Sequence, residues 1–190
     1  MLDLVIRNGL IVDGSGLPGR HGDVAIHEGR IVSVGGKAGD AHRELDATGR
    51  VVAPGFIDPH THYDAQLCFD PYAFPAIEHG VTTVVAGNCS LSLAPLRVDQ
   101  RDAFSRMFRL IEEMPEAAFD SGVDWRWGEG FGEWLDALAG NISINLAALV
   151  GHSVLRMYVM GADAQSRIAT SGEIIAMADL LRTCLAAGGV

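Results

Sequence analysis

Val51-Val52-Ala53-Pro54-Gly55-Phe56-Ile57-Asp58-Pro59-His60-Thr61-His62 runs from an apolar segment into a polar cluster that holds two histidines two residues apart. In an extended chain, residues i and i+2 point to the same side. His60 and His62 can therefore face one point in space from one rigid edge. Two such imidazoles suit a divalent transition metal, because catalytic zinc sites combine histidine nitrogens with other protein ligands and leave a position for water. The same pair also reads as two ordinary histidines with no metal. Its position at the end of an apolar, strand-like run favours the first reading, since barrel active sites collect at strand ends.

Working outward, the flanking segments differ in grammar. Ahead of the cluster, residues 1–53 hold short β-rich runs between glycines. Leu4–Ile6 and Leu10–Val12 are separated by Asn8-Gly9, a hairpin turn signal, and Asp23–His27 and Arg30–Val34 by Glu28-Gly29. The pattern predicts a small β-rich domain of meandering hairpins, short of core by itself.

Behind the cluster, Val81–Ala86 and Ile142–Val150 are apolar on both faces, as buried parallel strands require. Phe104, Met107, Phe108 and Ile111 fall at helical spacing and predict a helix over about 99–114, stopped by Pro115. A shorter helix is expected over 132–139. The Trp-rich stretch 123–128 between them reads as an insertion or lid, while Trp125, Trp127 and Trp134 read as cover for a core. Thr170-Ser171-Gly172-Glu173 has capping-box spacing. Ile174, Ala178, Leu181 and Leu185 then form an apolar face, and Gly188 stands where a helix would end. Strand and helix in alternation predict an α/β fold with a parallel sheet or barrel over residues 54–190.

Composition narrows the function classes. The formal net charge of −10 argues against nucleic acid or an anionic membrane as partner. No apolar run approaches the roughly 20 residues that span a bilayer, and the N-terminus does not read as a signal peptide. Three cysteines at long spacings suggest no disulfide framework. The expected compartment is the cytoplasm.

Three segments together resemble a known family. Pro54 to His62 is similar to the first-strand signature of the amidohydrolase superfamily. His79-Gly80-Val81-Thr82-Thr83-Val84-Val85-Ala86-Gly87-Asn88-Cys89-Ser90 and Leu149-Val150-Gly151-His152-Ser153-Val154-Leu155-Arg156 narrow the likeness to the D-aminoacylase, or N-acyl-D-amino-acid deacylase, family. The resemblance implies a TIM-type (β/α) barrel preceded by a small N-terminal β-sandwich unit. It implies a metal-dependent hydrolase that uses metal-activated water on a linear, non-peptide amide, with one or two zinc ions and a small-molecule amide as substrate.

It also implies roles residue by residue. His60 and His62 are metal ligands, and Cys89 joins them as a thiolate. Taken without its motif, Cys89 reads as a buried core residue, which is how Cys68 and Cys184 are read. The resemblance leaves His152 open, as a residue lining the substrate site or as one holding a loop. Asp58 and Asp64 are either partners that fix imidazole tautomers or ordinary strand-end polar residues. His21, His27, His42 and His79 read as structural or surface groups.

The family's further machinery comprises histidines from the fifth and sixth barrel strands and a general-base aspartate from the eighth. None of these can be placed here: past His152 there is no histidine, and the aspartates there are Asp163 and Asp179. Residues 54–190 are also far fewer than the roughly 250 of a complete barrel. The expectation is therefore an N-terminal fragment that is inactive alone. Two other possibilities stand beside it. One is a cyclic-amide hydrolase of the dihydroorotase or hydantoinase kind, which would use a bridging lysine, where this sequence has only Lys37. The other is a truncated, non-catalytic product.

Overall fold

The computed structural model describes residues 1–190, which divide into two compact units, Met1–Gly55 and Phe56–Val190.

The first unit holds β1 (Leu2–Ile11), β2 (Arg20–His27), β3 (Arg30–Val34), β4 (Ala41–Asp46) and the short β5 (Val51–Val52). They form one mixed sheet in the order β3-β2-β1-β4, with β5 beside β1. A sandwich needs two stacked sheets; residues 1–55 supply one, which corrects the expected β-sandwich for this segment taken alone. Glu28 and Gly29 turn the β2–β3 hairpin with φ of 50° and 71°, as that dipeptide predicts.

Asn8-Gly9 behaves differently from expectation. It lies inside the continuous strand β1, where Asn8 has φ 60° and the pairing with β2 shifts register between Ile6 and Gly9. The dipeptide is a bulge and not a hairpin turn. Two contacts hold it. The Asn8 N–H donates to Asp23 Oδ1 at 3.0 Å, and a Cβ on Gly9 would stand 2.4 Å from Val52 Cγ2. Asp23 also accepts from the Ala38 N–H and pairs with Arg7 at 3.0 Å. These donors hold its carboxyl down at about 2.

The second unit is built on a parallel sheet, β6 (Phe56–Asp58), β7 (Val81–Ala86) and β8 (Asn145–Ala148), in that order. Between β7 and β8 lie α1 (Arg101–Ile111), α2 (Glu116–Gly122) and α3 (Phe131–Leu138). After β8 come α4 (His152–Met160) and α5 (Ser171–Ala186). α1 ends three residues before the predicted stop: Glu113 takes φ 52°, so the helix is already broken ahead of Pro115.

Five aromatic residues of this unit form one chain of contacts. Phe104 meets Phe108, Phe108 meets Phe119, Phe119 meets Trp125 and Trp125 meets Trp127, at centroid distances of 5.3–6.3 Å. The stretch 123–128 is thus part of the core and not a lid. Trp134 is completely buried.

α5 carries its expected capping box: Thr170 Oγ1 accepts from the Glu173 N–H, and the Glu173 carboxylate accepts from the Thr170 N–H at 2.8 Å. Its buried face is not the expected one. Met177 and Cys184 are buried, whereas Ile174 and Leu185 are 55% and 45% exposed. The helix has apolar residues on two overlapping stripes, and packing against the rest of the unit selects one. No helix is long and apolar enough to cross a membrane.

Candidate metal centre

β6 and β7 are parallel neighbours, so both chains leave the sheet at the same edge. After β6, the Asp58 carboxylate accepts from the His60 N–H at 3.2 Å, which turns the chain. Thr61, almost fully buried, then locks the segment to β7: its N–H and its hydroxyl both donate to the Val85 carbonyl, at 3.0 and 2.8 Å. With Thr61 pointing inward, His60 and His62 emerge on the other side. Their ring centroids are 5.4 Å apart.

After β7, the turn Gly87-Asn88-Cys89-Ser90 brings Cys89 to the same place. Gly87, Cys89 and Ser90 all have positive φ, at 83°, 52° and 73°. Two of these are not glycine, and each left-handed L-residue costs about 1–2 kcal/mol. Such strain persists only where surroundings enforce it. Asn88, Asp64 and Gly151 enforce it here. Asn88 Nδ2 donates to the carbonyls of Val85 and Thr61, tying the turn to both strand ends. The Gly87 N–H donates to Asp64 Oδ2 at 3.0 Å. Gly151 presses on the Ser90 carbonyl, where a Cβ would come within 2.4 Å of the oxygen.

The result is a cluster of three potential ligand atoms, from His60, His62 and Cys89, all within 4.8 Å of one another. His60 Nε2 lies 3.3 Å from Cys89 Sγ. Two ligands of one tetrahedral zinc, each 2.0–2.3 Å from the ion, stand about 3.5 Å apart. The donor set of two imidazoles and one thiol also suits zinc. No other group of three histidine, cysteine or carboxylate side chains approaches this geometry.

Asp58 bonds backbone only, and Asp64 is wholly buried against the Gly87 N–H, so neither touches an imidazole. Burial pushes the Asp64 carboxyl up to about 7. His152 is the exposed first residue of α4 and lines a shallow groove with Leu155, Ile168 and Ile174; it is not one of the three clustered groups. In the segment Gly151-His152 it is the glycine that meets the Cys89 turn. Cys68 and Cys184 belong to the core, with thiols pushed by burial up to about 12 and 11. His21, His27, His42 and His79 are exposed.

Glu112 is the residue near the site that sequence patterning passed over. Its Oε1 lies 3.2 Å from His62 Nδ1, and its side chain is only 12% exposed.

The "Amidohydrolase family" model matches residues 43–185. A D-aminoacylase of Alcaligenes xylosoxydans xylosoxydans is 43% identical over 190 residues, covering 99% of this chain and 36% of the relative. The chain thus spans little more than a third of that protein's length. Among solved structures, a D-aminoacylase with a binuclear metal centre superposes with a TM-score of 0.82 at 40% identity, over all of this chain and 38% of the other. The N-acyl-D-glutamate deacylase of Bordetella bronchiseptica, complexed with zinc and a phosphonate inhibitor, gives 0.79 at 35% identity, over 97% of this chain and 36% of the other.

Proposed function

The chain belongs to the amidohydrolase family, and from that premise we propose that it carries the front of a zinc site, of one or two ions, in a hydrolase that deacylates N-acyl-D-amino acids. Cys89 carries the proposal. A strained turn, held from three sides, delivers its sulfur to 3.3 Å from His60 Nε2, at the edge where His62 also emerges. A buried structural cysteine would need none of this. The D-aminoacylase and N-acyl-D-glutamate deacylase relatives supply the substrate class.

Zinc in such a site contributes Lewis acidity toward an amide carbonyl and acidifies a water molecule. The chain's own part is to hold the ligands. Thr61 and Asn88 bind the two strand ends together, Asp64 and Gly151 fix the Cys89 turn, and Asp58 shapes the chain entering His60.

The parallel strands β6, β7 and β8, each followed by helical segments, are then the opening of a (β/α) barrel whose site lies at the C-terminal strand edge. The general base and the remaining ligands belong to parts of the barrel outside these 190 residues, and the cytoplasm is the compartment. The one lysine, Lys37, lies between β3 and β4 and not at the end of a barrel strand, so nothing in this chain favours the cyclic-amide alternative.

Zinc content after dialysis, measured on the wild-type chain and on Cys89→Ser, tests the ligand set. The expected result is retention by the wild type and loss in the variant. Equal zinc in both would remove Cys89 from the site.

A further inference from the structure

α1 buries Phe104 and Phe108 completely. Glu112 follows them at the same spacing, i, i+4, i+8, and so continues the stripe that faces the core. An acid is poorly placed there. A carboxylate at the C-cap of a helix, where Glu112 stands, opposes the helix dipole, and a largely buried one loses hydration. No arginine or lysine pairs with Glu112. Its one ionisable neighbour at ion-pair distance is His62, whose buried Nδ1 has no hydrogen-bond partner and meets Oε1 at 3.2 Å without hydrogen-bond alignment.

We infer that Glu112 is a positioning residue for His62: it accepts the Nδ1–H, holds the ring in that tautomer, and leaves the Nε2 lone pair free for a metal. The inference rests on the proposed zinc site only in its last clause. In a neutral imidazole one nitrogen carries the proton and the other accepts, and the partner of one decides the state of both. A carboxylate against Nδ1 therefore selects the ligand atom as well as the ring's orientation. Loss of such a carboxylate commonly weakens metal binding about 10–100-fold.

The experiment has two readouts on the purified chain. The first is the ring 15N chemical shifts of His62 in the metal-free protein, assigned by comparison with His62→Gln. The second is zinc affinity by competition with a chelator. Wild type is expected to show the Nδ1–H tautomer. Glu112→Ala is expected to move His62 to the Nε2–H form and to weaken zinc binding about 10–100-fold. Glu112→Gln keeps an acceptor oxygen and the side-chain volume, and is expected to retain the Nδ1–H tautomer with a smaller loss of affinity. It also guards against a folding defect in the alanine variant. An Nε2–H ring in wild type, or the same tautomer in wild type and Glu112→Ala, overturns the inference. A tautomer that responds in a chain that retains no zinc leaves the Glu112–His62 contact standing and overturns the metal reading instead.

Discussion

A Cβ placed on Gly87 would stand 2.2 Å from the carbonyl oxygen of Leu149. The chain leaving β7 passes directly over the chain leaving β8, one residue beyond the last ladder bond, in which the Leu149 N–H donates to Ala86 at 2.9 Å. The backbone of one strand end thereby seats the turn that carries Cys89.

Gly87→Ala tests that seating. The substitution meets both the Leu149 oxygen and an unfavourable φ of +83°, so the expected loss of stability is about 3 kcal/mol. Urea unfolding measures it. An unchanged midpoint would mean that the turn relaxes freely and does not hold Cys89 in place.

Asp23 predicts an acid-sensitive first unit. Its folded pKa of about 2 lies below the ordinary value of 3.8, held there first by the backbone N–H groups of Asn8 and Ala38 and then by Arg7. A depressed carboxylate contributes stability that is fully present above the unfolded pKa and disappears as pH falls toward the folded one. The contribution should therefore be lost between about pH 4 and pH 2. Amide resonances of β1 and β2, followed down this range, should show the loss in wild type. Asp23→Asn should be less stable at neutral pH and respond less to acid; equal acid slopes in the two proteins would acquit Asp23.

The two stripes of α5 should respond unequally to truncation. Met177→Ala removes a buried side chain and should cost about 2–4 kcal/mol. Ile174→Ala, at a position 55% exposed, should change stability by about 0.5 kcal/mol or less. Thermal unfolding of both variants decides which face packs, and a reversed order would place the helix wrongly about its axis.

Hydrolysis should be absent from the zinc-loaded 190-residue chain. His60, His62 and Cys89 are the proposed ligands, and no side chain of this chain is placed as their general base. Release of an amino acid from an N-acyl-D-amino acid should stay at the rate of buffer with zinc. Sustained turnover that disappears in Cys89→Ser would show that the chain contains a complete site.

Much of the second unit was legible because its signals are local. The β-branched run Val81–Ala86 is a strand, Thr170–Glu173 caps a helix, and His60 and His62 follow directly on the strand Phe56–Asp58. Signals with two physical meanings were misread. Asn8-Gly9 permits a turn or a bulge, since both need positive φ, and pairing with Asp23 and β5 selected the bulge. The stretch 123–128 suits a lid or an edge of the core; its tryptophans, read as cover for a core, are that, and contact between Trp125 and Phe119 ties the stretch to it. Glu112 gave one overlooked sign: a charge on the stripe that Phe104 and Phe108 bury.

By itself, the sequence determined the residue types of the site and the family to which the chain belongs. A His-x-His at a strand end and a Gly-Asn-Cys after the next strand are short-range patterns, readable without a fold. Only the tertiary structure decided that Cys89 meets His60 at 3.3 Å, that Gly151 packs on the Cys89 turn, and that Glu112 faces His62. These are contacts between residues 29 to 61 positions apart along the chain. They depend on strand register, a strained turn and the rotation of a helix about its axis, and each of those is set by packing between elements.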